Sequence, residues 1–148
     1  MKNHRFSKKL WSFLCIVLIV AMALCMGACG KKESAVAPED VVILENGGTY
    51  GEGAKEFTLV VVDPEGKEVT ATIKTDETMV GIALQNLGML SGEMNSYGLY
   101  VKTVNGITLD YNKDGMYWGF YIDGEYAMTG VDMTEIVPGS TYTLKADK

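Results

Sequence analysis

The sequence has a single histidine, His4, and three cysteines, Cys15, Cys25 and Cys29, so neither residue type occurs beyond position 29 of 148. That absence excludes, for everything after Cys29, an internal disulfide, a zinc site built on Cys or His, Ser-His-Asp or Cys-His catalysis, and haem or cobalt held by a histidine. Acidic residues are missing at the start, where none precedes Glu33. Further on, Glu33, Glu39, Asp40, Glu45 and Glu52 fall in a polar stretch, and the other acidic residues scatter over turns and strand ends. They do not form the facing pair of carboxylates that a glycosidase needs. The glycines are not grouped into a phosphate-cradling loop either. A non-catalytic protein is expected, with no cofactor required.

The N-terminus has the three parts of an export signal. Lys2, Arg5, Lys8 and Lys9 precede an apolar run from Phe13 to Met26, and small residues close it. Met26-Gly27-Ala28-Cys29 resembles the bacterial lipobox, in which small residues precede a cysteine that is lipid-modified and becomes the first residue of the mature chain. On this reading residues 1–28 are a lipoprotein signal peptide. Cys29 carries the lipid, residues 29–55 form a flexible tether broken by Pro38, Gly47 and Gly48, and residues 56–148 fold. An uncleaved anchor from Leu10 to Ala28 is the alternative, nearly as long as the roughly 20 residues a span requires. Both readings put the rest of the chain at the bacterial cell membrane, facing outside.

The first 28 residues hold four of the 13 basic groups and none of the 19 acidic ones, so their removal changes the formal net charge from −6 to −10. Such a surface repels nucleic acid and anionic headgroups, leaving the lipid as the membrane contact. It also keeps an exported protein soluble.

Within the folded part, Phe57 to Val62 and Val69 to Lys74 read as a hairpin around Asp63-Pro64-Glu65-Gly66. The period then becomes helical. Asp76 is placed to cap, and Met79, Val80, Ala83, Leu84 and Leu87 share one stripe, so the spacing predicts about three helical turns ending at Gly88. Leu90 to Tyr97 reads as a loop. Leu99 to Val104 and Ile107 to Leu109 form a hairpin through Asn105-Gly106, and Thr141 to Leu144 is the last strand. Val41 to Leu44 is either part of the tether or an edge strand. Strands, one helix and more strands predict an α+β fold: a β-grasp-like, mixed or antiparallel sheet of hairpins clasping one α-helix.

Residues 116–128, MYWGFYIDGEYAM, collect the aromatic residues around Asp123-Gly124, a pair suited to a type I′ turn. Alternation puts Met116, Trp118, Phe120 and Ile122 on one face and Tyr117, Gly119 and Tyr121 on the other. The first is the natural core face. The second offers tyrosines and a gap at Gly119, where a flat ligand such as a corrinoid, an aromatic compound or a glycan could lie. Tyr111, Tyr117, Trp118 and Tyr121 are therefore the candidate ligand-binding residues. Asp110, Asn112 and Asp114, followed by Gly115, match the first half of a calcium loop. The match stops there, because its twelfth position is Tyr121 rather than Glu.

Thr78 to Leu87, then Val104-Asn105-Gly106, then Tyr117 to Gly124 and finally Val137 to Tyr142 occur in an order that resembles a family of bacterial extracellular domains. That family is similar to the C-terminal domain of transcobalamin and intrinsic factor. The resemblance spans about residues 56–146. It implies a β-grasp-like fold and cobalamin, or a related corrinoid, as ligand. In the vertebrate proteins a helical domain completes that site, and this sequence contains none. The expected function is a surface lipoprotein that captures a ligand for a membrane transporter. The alternative is an adhesion or assembly module that binds a surface protein or cell-wall glycan.

Overall fold

The computed structural model describes residues 41–148. The signal segment, Cys29 and the first part of the tether lie outside the described residues. The described chain is α+β and dominated by sheet. Nine strands run in order: β1 (Gly48–Tyr50), β2 (Lys55–Val62), β3 (Glu68–Thr75), β4 (Leu90–Asn95), β5 (Gly98–Val104), β6 (Ile107–Thr108), β7 (Tyr117–Ile122), β8 (Glu125–Tyr126) and β9 (Thr141–Asp147). Helix α1 (Val80–Asn86) follows β3, the single turn α2 (Tyr111–Asp114) precedes β7, and a 3-10 turn spans Val131–Met133.

Six strands form a mixed sheet in the order β1-β3-β2-β9-β7-β8, and β4-β5-β6 form a second sheet. The hairpins are set by local chemistry. Asn105 and Gly106 have φ of 50° and 77°, and Asp123 and Gly124 have 48° and 88°. Both central residues of each turn are left-handed, as a type I′ turn requires. In the β2–β3 connection, Asp63 Oδ1 accepts the amides of Glu65 and Lys67, both at 2.9 Å. The last strand returns to the middle of the sheet, parallel to β2 and antiparallel to β7.

Alternation along the strands builds the core. Phe57, Leu59 and Val61 of β2, Ala71 and Ile73 of β3, and Tyr142 and Leu144 of β9 are buried beneath Val80, Ala83 and Leu84 of α1. Each large apolar side chain removed from water contributes roughly 1.5–3 kcal/mol.

Three expectations are corrected. The helix begins at Val80 after Met79, which gives no side-chain cap, and so makes two turns rather than three. Asp76 instead accepts the Ala54 amide at 2.8 Å. The helix start is tied by backbone alone, with the Val80 amide donating to Thr134 O at 2.9 Å. The stop at Gly88 is left-handed, at φ 69°. Leu90 to Asn95 is a strand rather than a loop, paired with β5 across a bulge at Ser91/Gly92. Only Leu90 of that strand is buried, so no apolar alternation marks it. Finally, packing begins before residue 56. Leu44 is buried, its amide donates to Asn105 Oδ1 at 2.6 Å, and β1 joins β3 in parallel. Val41 to Leu44 form no strand; the edge strand is Gly48–Tyr50.

Candidate functional site

Trp118 and Phe120 of β7 point into the core, as alternation requires. Trp118 does more than fill space. Its indole Nε1–H donates to Lys102 O at 3.1 Å, which pins β7 against β5 of the second sheet. A groove opens where these two strands meet.

Two cavities share that groove. One, about 500 Å³, is polar and lined by Glu93, Tyr100, Lys102, Asp110, Tyr111, Asn112 and Tyr117. The other, about 430 Å³, has an apolar floor of Leu99, Val101, Trp118 and Phe120, with Tyr126 and Met128 on its rim. Tyr100 and Tyr117 border both. The polar end carries a compensated charge: Lys102 Nζ lies 2.8 Å from Glu93 Oε1, and that hydrogen bond raises the lysine pKa.

Of the residues singled out from sequence, Tyr111, Tyr117 and Trp118 line the groove, and Tyr121 lines neither cavity. Tyr111 packs edge-on to Tyr117 with centroids 6.3 Å apart. Partial desolvation raises the Tyr117 pKa, and the neighbouring Tyr126 and Asp147 add to the rise. Tyr126 meets Tyr121 at 5.3 Å and 89°. The tyrosines thus form a continuous run from the groove onto the outer sheet face.

At its far end Tyr121 donates its hydroxyl to Asp147 Oδ2, and this bond pushes its pKa up to about 12. Lys145 lies 3.0 Å from the other Asp147 oxygen and 5.8 Å from the Tyr121 ring centroid. The expected gap over Gly119 is therefore filled. A Cβ built there would lie 2.5 Å from Asp147 Oδ2, so a flat ligand against that backbone would first have to displace the carboxylate.

The stretch from Asp110 to Gly115 is a capped helical turn. Asp110 Oδ1 accepts the Asn112 amide at 3.0 Å, Asp114 Oδ2 accepts the Asp110 amide at 2.8 Å, and Lys113 Nζ lies 3.8 Å from Asp110 Oδ2. The Asp110 and Asp114 carboxylates of the calcium half-match thus serve the turn itself. Among the described residues no three His, Cys, Asp or Glu side chains come together. Sequence reasoning missed Tyr100, Lys102 and Glu93. Alternation of Leu99-Tyr100-Val101-Lys102 marks Tyr100 and Lys102 as outward; Glu93 becomes visible only through its pairing with Tyr100.

Residues 76–148 match the family described as "Domain of unknown function (DUF4430)". This segment holds α1, the second sheet and the whole groove. Among solved structures the fold is similar to a protein from Ruminococcus gnavus named a "putative metal binding protein", at 27% identity and TM-score 0.61, over 64% of this chain and 98% of that one. It is also similar, weakly, to haptocorrin in complex with Cbi, at 17% identity and TM-score 0.49, over 67% of this chain. The matched part is 26% of the haptocorrin chain. No curated protein matches the sequence.

Proposed function

We propose that this protein is a non-catalytic ligand-binding lipoprotein, anchored through Cys29 to the outer side of a bacterial cell membrane, whose groove captures a small molecule for a transporter. The observation that carries the reading is the pair Tyr100 and Tyr117, which stands between an apolar cavity and a polar one. Flat aromatic walls with convergent polar groups at one end suit a planar ligand with polar substituents. Cobalamin or a related corrinoid has that shape. Its name rests on the order of sequence motifs from Thr78 to Tyr142. The parallel pairing of β2 with β9 beside α1 supports the β-grasp arrangement expected with it.

The name of the Ruminococcus protein raises a bare metal ion as the ligand. The hydrogen bonds that occupy Asp110, which caps α2, and Asp114 within it favour an organic ligand instead.

Calorimetric titration of the protein with cobalamin and with cobinamide tests the proposal. Saturable heat at micromolar affinity, about −8 kcal/mol, is expected, and Tyr117→Ala should weaken it at least ten-fold while the fold is kept. Absence of heat with both compounds would refute the corrinoid. Undiminished binding by Tyr117→Ala would refute the groove as its site.

A further inference from the structure

The tyrosine walls of the groove are neutral, so the charged groups around it decide which ions it admits. Three charged side chains line its two cavities: Glu93, Asp110 and Lys102. Among the described residues Lys102 is the one cation of that lining, and Glu93 already holds its ammonium at 2.8 Å. An anion entering the polar end therefore meets no uncommitted positive charge. Asp110 is left in excess. Lys113, 3.8 Å from it, offsets it in part, but Lys113 is 79% exposed and shares its helical turn with Asp114. The turn as a whole stays negative.

A further carboxylate stands at the other end. Asp132 lies in the 3-10 turn, next to Gly130 and Val131, which line the apolar cavity. Its Oδ1 is buried and has no hydrogen-bond partner among the described residues. A Cβ built on Gly130 would lie 2.7 Å from that oxygen, and one built on Gly98 3.0 Å from Oδ2. Glycine at both positions leaves the carboxylate its room, and no donor fills it. A buried carboxylate oxygen with neither donor nor counter-charge costs free energy that an incoming cation would recover. Gly98 opens β5 and Lys102 lies further along the same strand. Negative poles thus flank the stretch of β5 that walls the groove.

We infer that the groove selects planar ligands that carry positive charge and N–H donors, and turns planar anions away. Glu93 and Asp132 determine that specificity. Glu93 neutralises the ammonium that would otherwise hold an anion, and Asp132 keeps an acceptor uncommitted for a cation. The net charge of −6 acts in the same direction. This inference rests on the groove being the binding site and is independent of the corrinoid.

Thionine and resorufin are planar three-ring dyes of matching size; the first is a cation with an amino group at each end, the second an anion. Equilibrium dialysis of the full chain, with the same uncharged detergent on both sides, compares them. Thionine should bind at least about ten-fold more tightly than resorufin, and Tyr117→Ala should weaken it. Glu93→Gln frees Lys102, so it should weaken thionine by up to about five-fold and strengthen resorufin. Asp132→Asn should weaken thionine by about ten-fold; Glu93→Gln serves alone if that variant fails to fold. Glu52→Gln, beyond β1 at the opposite sheet edge, should change neither dye. Resorufin bound as tightly as thionine would overturn the inference and leave the groove standing, as would heat from cobinamide without preference between the dyes. Thionine affinity unmoved by Glu93→Gln and Asp132→Asn, or lowered as much by Glu52→Gln, would also overturn it. Failure of both dyes to bind would overturn it together with the groove.

Discussion

Replacing Tyr142 by Phe isolates one buried hydroxyl from its ring. The ring lies edge-on to Phe57 at 5.2 Å and stacks on Phe120 at 6.1 Å, contacts that phenylalanine keeps. The hydroxyl accepts the Val137 amide at 2.9 Å and donates to Glu135 O at 3.1 Å. Both partners belong to the segment that holds the start of α1, through Met79 opposite Glu135 and the Ile136 amide on Thr78 O at 2.8 Å. Two net hydrogen bonds amount to about 2 kcal/mol. The larger penalty of two stranded backbone groups does not apply, because Glu135 and Val137 are exposed and water can reach them. In urea, with a slope of about 1–2 kcal/mol per molar for a domain of this size, the midpoint should fall by roughly 1–2 M at unchanged slope. Amide exchange at Val80 should quicken more than exchange at Leu59 or Ile73 in the sheet. A midpoint within about 0.3 M of wild type would refute the reasoning, because the hydroxyl would then contribute nothing to holding that segment.

Tyr121 should titrate near 12 by ultraviolet absorbance, and Asp147→Asn should bring it back towards the ordinary tyrosine value. Because its folded pKa is raised, the linked stability is fully present below about pH 10. It should be lost as pH rises through about 12, which alkaline unfolding of wild type against Tyr121→Phe will report. Asn105→Ala places a side chain with little left-handed tolerance at φ 50° and removes the acceptor for the Leu44 amide. A loss of about 2 kcal/mol in thermal or urea unfolding is expected. Trp118→Phe removes the bond to Lys102 O and should cost about 2–3 kcal/mol. A larger proportional loss of ligand affinity than Tyr142→Phe causes would place the indole in the groove as well as the core.

The features legible in the sequence are those settled by neighbouring residues. Asn105-Gly106 and Asp123-Gly124 dictate their own turns, and alternation assigned Trp118 and Phe120 to the core. The illegible ones depend on residues far along the chain. Asp147 covers Gly119 from 28 positions away in sequence, through the β7–β9 register. Asp76 follows the cap rule and yet serves Ala54, because β2 and β3 bring that amide to it. Strand β4 has no periodic pattern because five of its six side chains are exposed, and only pairing with β5 makes it a strand. For the site, Tyr117 and Trp118 could be read from their hairpin. The opposite wall, Tyr100 and Lys102, could not, because it comes from the other sheet.

The groove follows from two short strands. β5 has seven residues, but β6 pairs only with Thr103 and Val104; β7 has six, but β8 pairs only with Tyr121 and Ile122. The stretches left over, Gly98 to Lys102 and Tyr117 to Phe120, lie against the same cavity. Buried backbone groups at such edges need partners. Lys102 O accepts both the Leu109 amide at 2.8 Å and Trp118 Nε1, while Phe120 O takes the Ala127 amide at 2.9 Å, one pair beyond the β7–β8 ladder. The Trp118 bond links β7 to β5 at a width set by an indole rather than by a strand. Tyrosines at positions 100 and 117 can therefore face across the opening. A longer β6 or β8 would complete one sheet edge and narrow the opening, so the shortness of these strands is itself part of the binding geometry.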